Sequence, residues 1–344
     1  MLTNRLRRTT VAIAGLVALS STAIGFSSVA QAATKHKTYN VAYLSYSVAN
    51  SYDAPMLAAA RAVAASAGNV NVTVFDAQGS YTTQVSQLQD VINSGKYQGI
   101  ITQPIYGAAL IPGVKLAIKK HIRVVNIDQI LGKNYTSDKI QVKGLAGNIV
   151  FFPSKIGSQL AAQTALACGT ASPCKIALVH NYKGYEPDSA ISAAFAAGVA
   201  KNSNESIVAE GDGFYAPATA LTFVSDALVA HSDLNVIVGS DQDCEGAQSA
   251  LASAHNTTVK LVCYGASAAG IAAVKSGAWF ADVAQMPATE GQLGMITLIK
   301  AMKNSHFTGK KAFKGRALNP VAKLSNHGVV TKANANKFSA EWPG

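Results

Sequence analysis

Charged and aromatic residues are scarce in this chain. Only 14% of its 344 residues are Asp, Glu, Lys or Arg and 7% are aromatic, against 49% hydrophobic. That hydrophobic share is ample for a large core, and the length suggests two domains of ordinary size. Dense Lys/Arg runs are missing from the folded part. Lys115, Lys119, Lys120 and Lys300, Lys303, Lys310, Lys311 read as solvated helix faces and ends, so the formal charge of +11 does not imply a nucleic-acid partner. No Cys-x-x-Cys spacing occurs and the His residues are scattered, which argues against a zinc site. No metal and no other cofactor is expected.

The chain also lacks an apolar run fit to anchor it. Val11 to Leu19 is too short, and too soon interrupted by Ser20, Ser21 and Thr22, to cross roughly 30 Å of hydrocarbon. With Arg5, Arg7 and Arg8 before it and Ala30-Gln31-Ala32 after it, the segment reads as a cleavable secretory signal over residues 1–32. Three positive charges and no acid leave with it, so the mature excess is +8. No Cys near the cleavage site could accept a lipid. A soluble, exported, monomeric protein is expected, and absence of the lipid fits a periplasm bounded by an outer membrane.

Export favours disulfides for the four cysteines. Cys168 and Cys174 close a tight loop between a helix and a strand; Cys244 and Cys263 would then pair by elimination, one of three possible connectivities.

From Tyr39 onward short β-branched runs alternate with Ala-rich amphipathic stretches, the pattern of repeated βαβ units. Expected strands are 40–44, 72–75, 99–102 and 122–126, then 175–179, 206–209, 235–239 and 259–263. Helices are expected at 54–67, 83–93, 108–119, 189–201, 218–230 and 246–254. The fold class is α/β, with two similar Rossmann-like three-layer lobes joined by a hinge and a boundary near Gly147 to Phe152. Ligands of open parallel sheets bind beyond the carboxyl ends of the strands. The residues there, from Asn50 and Asp53 through Tyr106 to Tyr215, are rich in Tyr, Asp, Asn and Gln, which suits an uncharged polyhydroxylated ligand better than a phosphate or a metal.

Three local patterns point elsewhere and are discounted. Gly211-Asp-Gly213-Phe-Tyr-Ala216 mimics a dinucleotide fingerprint but sits mid-chain. Gly265-Ala-Ser267-Ala-Ala269 mimics a nucleophile elbow without its last Gly, and Ser267 reads as a helix cap. Asp241 and Asp243 could do acid/base work, but Asp241 reads as a helix cap that lines a cleft.

Asn50-Ser51-Tyr52-Asp53 after the first strand, Asn126-Ile127-Asp128-Gln129 after the fourth and Ala284-Gln285-Met286-Pro287 near the return crossing occur in the order and spacing of a known family. The chain resembles the ribose-binding-type (type I) periplasmic substrate-binding proteins from about Tyr39 to Asn334. The resemblance implies a first lobe of 38–148 plus 286–312, a second of 149–285, and a return and tail over 313–344. It implies a sugar or polyol held between the lobes, a permease of an ABC transporter in the inner membrane as partner, and no catalysis. Tyr52 matches a sugar-stacking aromatic, Asp128 the acid that accepts from hydroxyls, Tyr215 a second aromatic and Gln285 the hinge-side amide. Departures are Ser240 for a common Asn, Gln129 and Ser189 where arginines often stand, and Gly265 for an aspartate; these put ribose itself in doubt. Tyr52 and Tyr215 could sandwich the ligand while Asp128, Gln285 and Asn50 satisfy its rim. Alternatives are a secreted enzyme using Asp128, Asp241 or Glu186, and a sensor with the same pocket chemistry.

Overall fold

A computed structural model describes residues 37–344; the secretory signal expected over residues 1–32 lies outside the described residues. The first half runs β1 (Tyr39–Ser45), α1 (Asp53–Ala67), β2 (Val70–Asp76), α2 (Tyr81–Ser94), β3 (Gly99–Thr102), α3 (Gly107–Lys119), β4 (Arg123–Asp128) and β5 (Gly147–Val150). Its strands form one parallel sheet in the order β2-β1-β3-β4-β5. Alternation along β1 sorts the two faces: Val41 and Tyr43 join one apolar cluster, Ala42 and Leu44 the other. Both faces are covered by helices, so the central strands β1 and β3 are buried almost throughout, while the edge strand β2 alternates and exposes Asn71 and Thr73.

The second half runs α4 (Pro153–Cys168), β6 (Cys174–His180), α5 (Glu186–Val199), β7 (Glu205–Asp212), α6 (Pro217–Ala230), β8 (Val236–Ser240), α7 (Asp241–Ser253), β9 (Lys260–Gly265), α8 (Ala268–Ser276), β10 (Ala281–Ala284) and α9 (Pro287–Lys303), with a one-turn α10 (Gly309–Ala312) and β11 (Val329–Thr331) after it. The sheet order is β11-β10-β9-β8-β6-β7, parallel except for β11. Two three-layer α/β lobes result, as the sequence led us to expect.

All eight expected strands form. β5, β10 and the three-residue β11 were not expected as strands; like β3, β5 and β10 are four buried residues, too few for a periodicity to show. β5, at the expected boundary, belongs to the first sheet. The chain then crosses between the sheets three times. It passes from β5 to α4, returns from β10 to α9, and passes a third time after Leu318, which exchanges backbone bonds with Asn148 and Val150 before β11 pairs with β10. The return of α9 onto α1 depends on Gly291, where a Cβ would stand 2.0 Å from the Met56 carbonyl oxygen.

Both disulfides join neighbours of the second lobe, Cys168 to Cys174 across the α4–β6 turn and Cys244 on α7 to Cys263 on β9. Among the described residues no helix is long and apolar enough to cross a membrane.

Candidate functional site

The carboxyl ends of both sheets face one cavity of about 300 Å³, the size of a small-ligand pocket. Its first-lobe wall starts where the chain leaves β1. The Asn50 side chain accepts the backbone N–H of Tyr52 (2.8 Å) and Asp53 (3.4 Å), which starts α1 and fixes both side chains. Asp53 occupies the first turn of α1, where the helix dipole favours an acid. Asp128 ends β4 with φ +67°, a left-handed conformation that Asp tolerates and that breaks the strand.

One amide holds these two carboxyls together. Gln103, immediately after β3, donates through Nε2 to Asp53 Oδ1 (2.5 Å) and Asp128 Oδ2 (3.2 Å), and its Oε1 accepts from the Tyr46 N–H (3.2 Å). Tyr52 donates its hydroxyl to Asp128 Oδ1 at 3.3 Å. Burial pushes the Asp128 carboxyl up to about 6, offset in part by the bonds from Gln103 and Tyr52. Burial and then the neighbouring Asp128 charge push Asp53 well above the usual carboxylate range.

The second-lobe wall is aromatic. Phe214 and Tyr215 stand in left-handed backbone (φ +57° and +53°) directly after β7, which turns both rings toward the cleft. Tyr182 packs against each, at centroid distances of 5.2 and 6.1 Å. Asn181 is the clamp, accepting the Tyr215 N–H (2.8 Å) and donating to the Tyr264 hydroxyl (2.7 Å). Behind them Asp188 accepts from the Tyr215 hydroxyl (2.7 Å) and the Tyr182 N–H (2.9 Å); burial raises it to about 6 despite both bonds.

The floor comes from the last residues of the chain. Trp342 lines the cavity, meets Tyr52 edge-on and donates Nε1 to the Gly265 carbonyl (3.0 Å). Its own carbonyl and that of Pro343 accept the first N–H groups of α8, from Ala268 and Ala269. Glu341 accepts from Thr289 at the start of α9.

The model of the periplasmic binding protein domain matches residues 41–306. The chain belongs to that family. Among solved structures, this periplasmic binding protein resembles an ABC transporter solute-binding protein from Agrobacterium vitis with bound D-fucose (22% identity, 89% of this chain and 100% of that one, TM-score 0.73). It also resembles those from Bacillus halodurans C-125 with bound myo-inositol (17%, 90% and 100%, 0.73) and from Mycobacterium smegmatis with bound glycerol (21%, 89% and 99%, 0.71). At such identities the likeness is one of fold. No curated protein matches the chain.

Of the expected site residues, Asn50, Tyr52, Asp53, Asp128, Gln129, Tyr215, Ser240 and Gln285 line the cavity of this binding protein. Four expected there do not. Tyr106 turns aside to pack edge-on against Tyr81 at 5.8 Å. Ser189 is exposed on α5, where the preceding residue Asp188 takes the inward position. Asp241 is not the helix cap: Ser240 caps α7 in a capping box with Asp243, and Asp241 lies behind the site, accepting the Ser267 N–H at 2.7 Å. Gly265, with φ +143°, passes beneath the Trp342 ring and offers the cavity no side chain. Gln103, Tyr182, Tyr264 and Trp342 were not singled out. Gln103 and Tyr264 follow or end strands and could have been found there; Trp342 has no local signal.

Proposed function

We propose that this protein is the exported solute-binding component of an ABC importer. It takes a small polyhydroxylated ligand between its lobes, releases it unchanged, and hands it to a permease in the inner membrane while working as a periplasmic monomer. The observation that carries this reading is the shared cavity itself: carboxyl and amide acceptors come from the first lobe, stacking rings from the second, so one ligand touches both. Hydroxyls donate to the carboxyls, and apolar C–H faces lie on the rings. A ligand bound by both lobes selects the closed arrangement. The solved neighbours with bound D-fucose, myo-inositol and glycerol support the ligand class.

The test is a thermal-shift screen of residues 33–344 against sugars, polyols, nucleosides and amino acids, followed by mass analysis of the recovered ligand. Binding at a hundredfold excess over Kd stabilises by about 2.7 kcal/mol, a rise of a few degrees for a protein of this size. A shift with intact recovery is expected. Turnover of the ligand, or a shift only with compounds lacking hydroxyls, overturns the reading.

A further inference from the structure

The cavity walls carry Asp53 and Asp128, and none of the lining residues is Lys, Arg or His. Nor are these acids neutralised from behind. The ion pairs among the described residues are Lys175–Asp233, His180–Glu210, Lys183–Asp212 and Arg316–Asp138, each with at least one exposed partner and none at the cavity. Asp53 and Asp128 are 5% and 3% exposed and share one neutral amide, while Asp188 stands immediately behind Tyr215. A protein with a basic exterior thus encloses an acidic pocket that has no counter-charge of its own.

The remaining walls agree with this polarity. Tyr46, Tyr52, Tyr182, Phe214, Tyr215 and Trp342 present rings to the cavity, and aromatic faces attract cations. The Tyr185 hydroxyl, also at the cavity, is enclosed and has no hydrogen-bond partner. Tyr52 and Gln103 donate to Asp128 over long distances of 3.3 and 3.2 Å, the Gln129 side chain adds a third contact, and an ionised carboxyl can accept about four bonds. Acceptor capacity is therefore left for the ligand, together with a ring of π faces.

We infer that the ligand of this site carries a protonated amine on its polyhydroxylated frame, an amino sugar or amino polyol whose ammonium group lies on the cavity side of the Asp53 and Asp128 carboxyls that Gln103 bridges. This rests on the carrier reading above and narrows it. A neutral polyol offers these buried carboxyls hydroxyl donors but no charge, whereas an ammonium supplies both a positive charge and donors to fill their free lone pairs. Its hydroxyls and C–H faces would use Gln285, Asn50 and the rings as any sugar would.

Isothermal titration of residues 33–344 at pH 7 with matched pairs tests it: D-glucosamine against D-glucose, D-galactosamine against D-galactose, and 2-amino-1,3-propanediol against glycerol. At least one amine should bind tenfold or more tighter than its neutral partner. Asp128→Asn keeps the shape and tolerates the left-handed backbone, so it should fold; it should weaken both members of a pair and shrink the preference for the amine to under about threefold. Equal or tighter binding of the neutral member overturns the amine assignment and leaves the carrier reading standing. An undiminished preference in Asp128→Asn removes the carboxyl pair as its source and overturns the assignment. Binding by no member of either series counts against both readings.

Discussion

The ring of Trp342 meets that of Tyr52 edge to face, with centroids 5.4 Å apart and planes at 83°. The contact joins the third residue from the chain end to the first βα loop. Through its indole N–H the same ring holds the Gly265 carbonyl of the other lobe. One side chain thus ties the two halves of the site together at the floor, next to the Asp128 carboxyl that Tyr52 supports.

Trp342→Ala should therefore act on binding and on stability at once. The side chain is 4% exposed, and emptying such a position costs about 3 kcal/mol. Chemical denaturation should show that loss and titration calorimetry at least a tenfold weaker Kd. Trp342→Phe keeps a ring against Tyr52 but loses the bond to Gly265, so it should recover part of both. Wild-type affinity in Trp342→Ala would show that the indole is not part of the ligand floor.

The buried acids set the pH dependence of stability. Burial raises Asp128 and Asp188 to about 6 and Asp243 to about 7. In the unfolded chain these groups titrate near 3.9, so between about pH 4 and 7 the folded state binds more protons. Stability from them is fully present below about pH 4 and is lost as pH rises through 6 to 7. A carboxyl raised to about 6 is worth about 3 kcal/mol across that window. The melting temperature of the ligand-free protein should be higher at pH 5 than at pH 8, and Asp188→Asn should flatten the slope. Calorimetric scans showing a rise toward pH 8 would contradict the assignment.

The two disulfides should differ in worth. Cys168 and Cys174 are 6 residues apart and Cys244 and Cys263 are 19 apart. Loop-closure entropy gives about 2 kcal/mol for the first and about 3 kcal/mol for the second. Paired Cys→Ala variants compared by denaturant unfolding should rank in that order. Equal losses would point to packing at the replaced sulfurs as the dominant effect.

Much of the site was legible because strand ends are legible. Asn50, Tyr52, Asp53 and Asp128 stand immediately beyond runs whose hydrophobicity announces a buried parallel strand, and topology then places them at the cleft. Ser189 shows where that stops. A helix turns 100° per residue, so an error of one position on α5 exchanges the inward Asp188 for an outward serine. Asp241 and Ser240 are likewise neighbours at a helix start, and which one caps is decided by backbone geometry that composition does not record.

The order of apolar runs, glycines and turn residues by itself determined that this chain forms two mainly parallel sheets covered by helices, because each central strand must bury both faces and each helix one. It also determined which loops reach the cleft. Only the tertiary structure decided which side chains fill it. Trp342 lies 290 positions from Tyr52 in the chain and comes to rest against it because the return segment pairs at the edges of both sheets before reaching the floor. The absence of a counter-charge around Asp53 and Asp128 among the described residues was equally invisible, since any Lys or Arg was a candidate neighbour until folding left none of those described in the cavity wall.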